Sequence, residues 1–211
     1  MQLAVALTLV SGIAWTIVYI EAARIGFRDR TYGMPVAALA LNLAWEWTYA
    51  IHALLVGSSL LGVIELVWAL ADLLIAYTYL RYGRAEFPPF VTRWMFIGWS
   101  VLLLTIAFAV QLLFLTHFGL RNGGGYSAFL QNLLMSGLFI AMFVARGGGL
   151  RGQSLTIAVA KCLGTLAPTL LYGVVFHTAF YLVTGLACGT LDAVYIGLCR
   201  QAKRTGRAAL A

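Results

Sequence analysis

The sequence has very few charged residues for its length. Only 10% of its 211 residues are Asp, Glu, Lys or Arg, whereas a soluble domain carries about 25%. Its 7 acidic residues could not solvate a globule of this size, so a soluble domain is excluded. The 3 cysteines, an odd number with none near another, exclude a disulfide scaffold. A disordered chain is excluded because 62% of the residues are hydrophobic.

Motifs for metals, phosphates and nucleic acids are also missing from the sequence. No His, Cys and carboxylate cluster has metal-ligand spacing, and no two aspartates are adjacent, as magnesium–diphosphate motifs require. The triple-glycine runs 123–125 and 147–149 follow no strand, so we predict turns between helices rather than phosphate loops. Basic and aromatic residues do not interleave, which excludes nucleic-acid binding. We therefore expect no metal and no cofactor.

Long hydrophobic stretches fill nearly the whole chain. A bilayer core about 30 Å thick needs about 20 apolar residues per helix, and isolated strands leave backbone groups unsatisfied in lipid. The sequence therefore predicts an all-α membrane protein with one transmembrane domain, 1–211, and seven helices. These are predicted at 3–20, 34–56, 59–80, 94–117, 126–145, 154–175 and 178–199. The connections at 57–58 and 176–177 are short enough to be tight turns. The first helix has no basic residue before it and no cleavage site, so we expect it to be retained rather than removed as a signal peptide.

The basic residues are distributed unevenly between the loops. Twelve of the 14 Lys and Arg residues fall in 21–33, 81–93, 146–153 and the segment after 199. Cytoplasmic loops collect Lys and Arg, so the amino terminus is predicted to lie outside and the carboxyl terminus in the cytoplasm. The small size and the Ala-, Gly-, Leu- and Arg-rich composition favour a bacterial inner membrane over the endoplasmic reticulum.

Ionisable residues occur inside the predicted helices, where they are costly and generally mark function. They are Glu46, Glu65, Asp72, Asp192 and the single ammonium group of Lys161. At 1.5 Å per residue, Asp72, Lys161 and Asp192 share one level, about 10–12 Å from the cytoplasmic ends, and Glu46 lies several ångströms deeper. One ammonium group neutralises about one of four carboxylates, so we expect at least one carboxyl to be protonated at neutral pH.

Each of these acids belongs to a polar and aromatic stripe on its helix. Residues at i, i+4 and i+7 share a helix face. The stripes are Asn42, Glu46 and Tyr49; Glu65, Trp68, Asp72 and Tyr79; Asn132, Ser136 and Phe139; and Cys188, Asp192 and Tyr195. If these faces point inward, they line a cavity of polar groups and aromatic rings. A protonated carboxyl in such a cavity is a proton donor.

Structural roles remain open for some of these residues. Lys161 can form an ion pair with either Asp72 or Asp192. Glu65 fits an interfacial position near the outer surface. Glu46 is harder to explain structurally, because it lies at mid-span beside Asn, Trp and Tyr residues.

Motifs in five of the helices resemble those of a known family. They are Pro35-x6-Asn42-x2-Trp45-Glu46, Trp68-x3-Asp72, Asn132-x3-Ser136, Gly152-Gln153-Ser154 followed by Lys161-x2-Gly164-Thr165, and Asp192-x2-Tyr195. Over nearly its full length the sequence resembles the small integral-membrane terpene cyclases of meroterpenoid and indole-terpenoid pathways. The Asn-x2-Trp-Glu element and the late Asp are the most specific parts.

The resemblance implies that a prenyl chain is cyclised by protonation of an epoxide or a terminal olefin, without a metal, a cofactor or diphosphate ionisation. It implies that Glu46 and Asp192 are the catalytic acidic residues. The prenylated small-molecule substrate is expected to enter from the bilayer, with membrane lipid as its surroundings. Rings expected to stabilise the carbocation by cation–π contact are those of Trp45, Tyr49, Trp68 and Tyr195, and the supporting polar residues are Asn42, Asp72, Asn132 and Lys161. The head group, the chain length, the choice between acid and base, and the oligomeric state stay open.

Other membrane functions fit the sequence less well. A small seven-helix transporter is the main alternative, but it should have similar halves with paired Pro or Gly breaks, and Pro35 and Pro168 do not fall at equivalent positions. A retinal-type pump needs a Lys in the last helix, and 178–199 contains none. A non-catalytic assembly factor has no use for four costly buried acids.

Overall fold

A computed structural model describes residues 2–55, 57 and 59–206, and for 59–65 it describes the backbone alone. Within these residues the chain forms six α-helices and no strand, which confirms the predicted all-α class. The helices are α1 (Gln2–Arg28), α2 (Val36–Leu55), α3 (Ser59–Tyr82), α4 (Arg93–Ala145), α5 (Leu155–Pro168) and α6 (Ala179–Arg204). A 3-10 turn, Gly83–Glu86, follows α3, and a π-helical segment, Thr169–Val175, continues α5. Among the described residues, four segments have the length and apolar composition needed to cross a membrane: α1, α4, α5 with its π-helical segment, and α6.

The predicted number of seven helices is not found, because the predicted spans 94–117 and 126–145 belong to the single element α4. This element has 53 residues, and a straight helix of that length would measure about 80 Å. Its backbone leaves the helical conformation at Gly119 (φ 74°, ψ 176°). The side chain of Gln111 donates a hydrogen bond to Gln131 at 3.1 Å, although twenty residues of straight helix would separate them by about 30 Å. The two arms of α4 therefore lie side by side, and the chain reverses at one glycine instead of across a loop.

The prediction of a turn at 123–125 is wrong, because these residues are helical within the second arm of α4. A Cβ atom on Gly123 would lie 2.4 Å from the backbone oxygen of Phe114 in the first arm. The glycine therefore permits the close approach of the two arms. The second run, 147–149, does form a turn, with positive φ at Gly147 and Gly148.

Two helices extend beyond the predicted spans. Helix α1 continues to Arg28 and α6 continues to Arg204, so several basic residues assigned to loops are helical, in keeping with the high helix propensity of Arg and Lys. The chain reverses between α5 and α6 near His177 (φ 52°), as predicted for 176–177. Of the predicted turn at 57–58, Ser58 lies outside the described residues.

The helices contact one another in the closed circuit α1–α3–α2–α4–α6–α5 and back to α1. The buried core takes residues from every helix, for example Val18, Ala38, Ile75, Phe139, Ile157 and Tyr195. Large aliphatic side chains are exposed on the outside, including Ile13, Leu113 and Val183 at 62%, 67% and 65%. Polar residues inside and aliphatic residues outside suit a bundle surrounded by lipid.

The three basic loops meet at one end of the bundle. Glu86, after α3, forms ion pairs with Arg146 and Arg151, after α4. Thr31, after α1, donates a hydrogen bond to Glu86 at 2.9 Å. The guanidinium group of Arg146 also lies 4.6 Å from the ring centre of Tyr32. The loops that the sequence places on one side of the membrane therefore share one end of the fold.

Gly152 joins two of these loops. Its backbone N–H donates to Asp29 at 2.8 Å, and a Cβ atom there would lie 2.7 Å from both a side-chain atom of Thr31 and a backbone oxygen of Tyr32. Partial burial opposes ionisation of Asp29, but hydrogen bonds from Arg28 and from Gly152 hold its pKa below the ordinary value of 3.8.

The hydroxyl group of Ser154 accepts a hydrogen bond from the N–H of Ile157 at 3.1 Å and caps α5. The Gly152-Gln153-Ser154 motif is thus a loop junction and a helix cap.

Candidate active site

The four predicted stripes face the interior of the bundle, as expected. Each described side chain in them is less than 9% exposed except that of Trp68, which is half-buried. The side chain of Glu65 lies outside the described residues, so its predicted interfacial position stays a prediction. The stripes supply two separate hydrogen-bonded clusters.

The first cluster, named here the Glu46 cluster, consists of Tyr19, Asn42, Glu46 and Asp72. The Tyr19 hydroxyl donates a hydrogen bond to Glu46 Oε1 at 2.7 Å. Asn42 Nδ2 donates to the Tyr19 hydroxyl at 2.9 Å and to Asp72 Oδ2 at 2.7 Å. All four residues are at most 4% exposed. Helices α1, α2 and α3 thus bring two acids together through one phenol and one amide.

Local helix geometry places the members of this cluster. Asn42 and Glu46 are four residues apart on α2, so their side chains project from one face. Tyr19 approaches from α1 and Asp72 from α3, and both helices pack together. The second oxygen of Asp72, Oδ1, accepts no hydrogen bond from any described residue.

Aromatic rings lie beside Tyr19 of the Glu46 cluster, and two more lie on α2, which carries Glu46. The Tyr19 ring lies 6.2 Å from the Trp15 ring and 6.1 Å from the Trp68 ring. On α2 the rings of Trp45 and Tyr49 lie 5.2 Å apart. The indole N–H of Trp45 donates to the backbone oxygen of Gly124 at 3.0 Å, and that of Trp68 donates to Thr16 at 3.1 Å. These bonds fix the orientation of both indole rings.

The second cluster, named here the Lys161 cluster, consists of Ser136, Lys161 and Asp192. Lys161 Nζ lies 2.8 Å and 3.1 Å from the two carboxylate oxygens of Asp192 and donates to the Ser136 hydroxyl at 2.6 Å. Lys161 is 0% exposed and Asp192 is 1% exposed. The ion pair therefore joins α5 to α6. Of the two partners that the sequence left open for Lys161, Asp192 is the one bound, and Asp72 is not.

Two further predicted residues lie close to the Lys161 cluster. The Ser136 hydroxyl donates to the backbone oxygen of Asn132 at 2.9 Å. The Tyr195 hydroxyl donates to Gln153 at 2.7 Å, and its ring lies 5.3 Å from that of Phe139. Tyr195 therefore belongs to the helix packing around α6.

The two predicted catalytic acids, Glu46 and Asp192, belong to different clusters. A cavity of about 520 Å³ exists in the structure, but its lining includes neither acid, because it lies at the end where the basic loops meet. The expectation that both acids line one cavity therefore stays a prediction.

Sequence analysis missed Tyr19, which joins the two acids of the Glu46 cluster. The available signal was weak: Trp15 and Tyr19 are four residues apart and share a face of the first helix. A tyrosine near the end of a membrane helix is ordinarily interfacial. Only the packing of α1 against α3 and the hydrogen bonds of Tyr19 to α2 reveal its position.

The fold and these clusters define a class of protein: a helical membrane protein with acids buried in its interior and aliphatic residues outside. Within that class, the chain belongs to the Pyr4-like transmembrane terpene cyclase family, whose family model matches residues 1–186. The predicted resemblance is therefore confirmed. No solved structure matches the chain.

The names of similar proteins agree with this family. The terpene cyclase macJ of Penicillium terrestre is 31% identical over 166 residues, which are 76% of this chain and 62% of macJ. The terpene cyclase pyr4 of Aspergillus fumigatus is 26% identical over 200 residues, which are 89% of this chain and 82% of pyr4. The Pyr4-family terpene cyclase mfmH of Annulohypoxylon moriforme is 28% identical over 172 residues, 79% of this chain and 68% of mfmH. The chain thus spans less than two thirds of macJ. These relatives are fungal, so they give no support to the predicted bacterial inner membrane, and they do not favour a transporter.

Proposed function

We propose that the protein is a terpene cyclase that works inside the membrane. A carboxyl group protonates an alkene or an epoxide of a farnesyl-type prenyl chain, and internal alkenes then close rings through a carbocation. No diphosphate leaves and no metal is required. The observation that carries this proposal is the Glu46 cluster, because it places two buried acids among aromatic rings in a chain of this family.

Glu46 is proposed as the proton donor. The Tyr19 hydroxyl fixes the orientation of Oε1, which general acid catalysis requires. A carboxylate buried without a counter-charge is costly, and Asp72 forms no ion pair with any described residue. A cluster of two acids linked by a phenol and an amide is therefore suited to hold a proton until a substrate arrives.

Asp192 is proposed as the acceptor of the final proton. Its carboxylate lies 2.8 Å from the ammonium group of Lys161, and a positioned carboxylate can act as a general base. One proton enters the substrate and one leaves it, so the product of an olefin or epoxide is an isomer with unchanged mass. This assignment gives different roles to the two predicted catalytic residues.

The aromatic residues are proposed to stabilise the carbocation. Trp68 lies beside Tyr19 of the Glu46 cluster, and Trp45 and Tyr49 contact each other on α2, the helix that carries Glu46. Tyr195 lies on α6 three residues after Asp192 of the Lys161 cluster. A desolvated cation–π contact contributes about 2 kcal/mol. Excluding water also matters, because water would quench the cation before the rings close.

We also propose the membrane arrangement that the charges predict. The amino terminus lies outside and the carboxyl terminus in the cytoplasm, with the substrate entering from the bilayer. The meeting of the three basic loops at one end supports this orientation.

The test is a cyclisation assay on membranes that contain the full chain. A farnesylated aromatic compound and its terminal epoxide are supplied, and the product is sought as an isomer with a shifted retention time. Glu46→Gln and Asp192→Asn should each lower the rate by about 10²–10⁴-fold, and Asp72→Asn should lower it less. Glu21→Gln, at the end of α1 and bound to Arg24, is the matched control and should retain activity.

Two results would contradict the proposal. Failure of the wild-type protein to form an isomer from either substrate contradicts cyclisation and would favour transport. Retention by Glu46→Gln of more than about a tenth of the wild-type rate contradicts Glu46 as the donor, because general acid catalysis contributes about 10²-fold or more. Asp72 would then be the next candidate.

A further inference from the structure

The cavity of about 520 Å³ lies between the end of α3 and the start of α4. Its lining includes the basic residues Arg30, Arg81 and Arg84 together with the apolar residues Phe87, Pro88 and Val91. Neither the Glu46 cluster nor the Lys161 cluster contributes to it. The proposed cyclisation gives this cavity no role.

The three arginines of the cavity have no carboxylate partner among the described residues. No lining residue is acidic. The acids of the neighbouring segments are bound elsewhere, in the pairs Glu21–Arg24, Asp29–Arg28, Glu86–Arg146 and Glu86–Arg151. The cavity therefore carries three positive charges with no carboxylate partner among the described residues, whereas Arg24, Arg28, Arg146 and Arg151 of these loops each contact a carboxylate.

The backbone holds Arg30 in place at the cavity. Its φ angle of 49° lies in the left-handed region, which a residue other than glycine adopts mainly where the surrounding structure imposes it. Arg151 donates a hydrogen bond to the backbone oxygen of Arg30 at 3.3 Å. The preference of cytoplasmic loops for basic residues explains why arginines occur here, but it does not require three of them to share one cavity.

Most of the remaining lining residues are apolar, and residues next to them in the sequence are suited to the membrane surface. Phe90 and Trp94 are exposed by 72% and 78%, and aromatic residues of this kind collect where the bilayer meets water. The cavity lies just after the predicted span 59–80 and just before 94–117. An anionic group attached to an apolar chain would match both the arginines and the apolar residues of the lining.

We propose that this cavity binds the phosphate of an anionic membrane lipid. The planar guanidinium group donates two parallel hydrogen bonds to a phosphate, and basic pockets between helices on the cytoplasmic side bind anionic head groups. Arg81 and Arg84 contact the phosphate together with Arg30, and the apolar wall contacts the glycerol and the first part of the acyl chains.

The test measures the thermal stability of the purified full chain in detergent during titration with short-chain phosphatidylglycerol. A ligand that binds only the folded state stabilises it by RT ln(1 + L/Kd), where L is the free ligand concentration, so the Tm rises with the lipid concentration. We expect phosphatidylglycerol to raise the Tm and phosphatidylcholine with the same chains to leave it unchanged. The double variant Arg81→Gln/Arg84→Gln should need at least about tenfold more lipid for the same rise, because each charge-assisted hydrogen bond is strong.

Matched variants distinguish a specific binding site in this cavity from general electrostatic attraction. Arg200→Gln/Arg204→Gln removes the same charge from exposed positions near the end of α6 and should keep the response to lipid. Arg84→Lys keeps the charge but loses the planar fork, and it should give an intermediate response. If both double variants lose the Tm response to phosphatidylglycerol equally, a specific lipid site in this cavity is contradicted. If inorganic phosphate alone raises the Tm as much as phosphatidylglycerol does, the ligand is phosphate and not a lipid.

Discussion

The ion pair between Lys161 and Asp192 allows a quantitative test of the structure. Lys161→Met removes the ammonium group that lies 2.8 Å from Asp192, while its unbranched side chain fills a similar volume. The Asp192 carboxylate then stays buried with no cation beside it. Breaking such a pair costs about 3–5 kcal/mol. At about 2–4 °C of Tm per kcal/mol for a chain of this size, we expect the Tm to fall by about 6–20 °C.

The assay is thermal unfolding of the detergent-purified protein, followed by tryptophan fluorescence. Lys203→Met is the matched control, because Lys203 is exposed near the end of α6 and the same substitution there should leave the Tm unchanged. The double variant Lys161→Met/Asp192→Asn removes both charges and should recover part of the loss. Such a double-mutant cycle isolates the energy of the pair.

Two outcomes would refute the reasoning about this pair. Wild-type stability of Lys161→Met would mean that Lys161 does not neutralise a buried charge. Rescue by Asp72→Asn instead of Asp192→Asn would mean that the ammonium group pairs with α3 rather than with α6.

Three further results follow from the structure. Tyr19→Phe removes the hydrogen bond to Glu46, so the cyclisation rate at saturating substrate should fall by about tenfold. This factor corresponds to the loss of one hydrogen bond of about 1.5 kcal/mol. An unchanged rate would contradict a positioning role for the Tyr19 hydroxyl. Reporters fused to the two termini should read outside at the amino end and cytoplasmic at the carboxyl end, and both on one side would contradict the proposed orientation. Because the pKa of Asp29 is lowered in the folded state, its contribution to stability is present above the ordinary value of 3.8 and is lost as the pH falls through the folded-state value. Asp29→Asn should therefore flatten the decline in Tm below about pH 4, and an unchanged decline would contradict that contribution.

The sequence predicted the inward faces of the helices well, because this information is local. Apolar length predicts a membrane helix from its own residues, and the spacing of Asn42 and Glu46 predicts their shared face before any partner helix is known. The fold buries Asp72, Lys161 and Asp192, as expected because an ionisable side chain exposed to lipid costs free energy. The family resemblance rested on these same residues.

The reversal inside α4 shows a limit of local information. A run of three glycines resembles a turn, so the sequence predicted a turn at 123–125, between the predicted spans 94–117 and 126–145. The break lies at Gly119, and Gly123 instead allows the backbone of one arm to approach the other. A glycine that bends a chain and a glycine that accommodates a neighbour look alike until the packing is known.

The sequence by itself determined the helical class, the membrane setting and the identity of the buried acids, since periodicity and hydrophobicity act over a few residues. The tertiary structure decided which groups meet. Lys161 pairs with Asp192, and Tyr19 joins Glu46 to the Asn42–Asp72 pair. Arg146 and Arg151 contact Glu86, whereas Arg30, Arg81 and Arg84 line a cavity. Such contacts depend on the order of the helices around the circuit and on the rotation of each helix about its axis. Both result from packing between segments that are far apart in the chain.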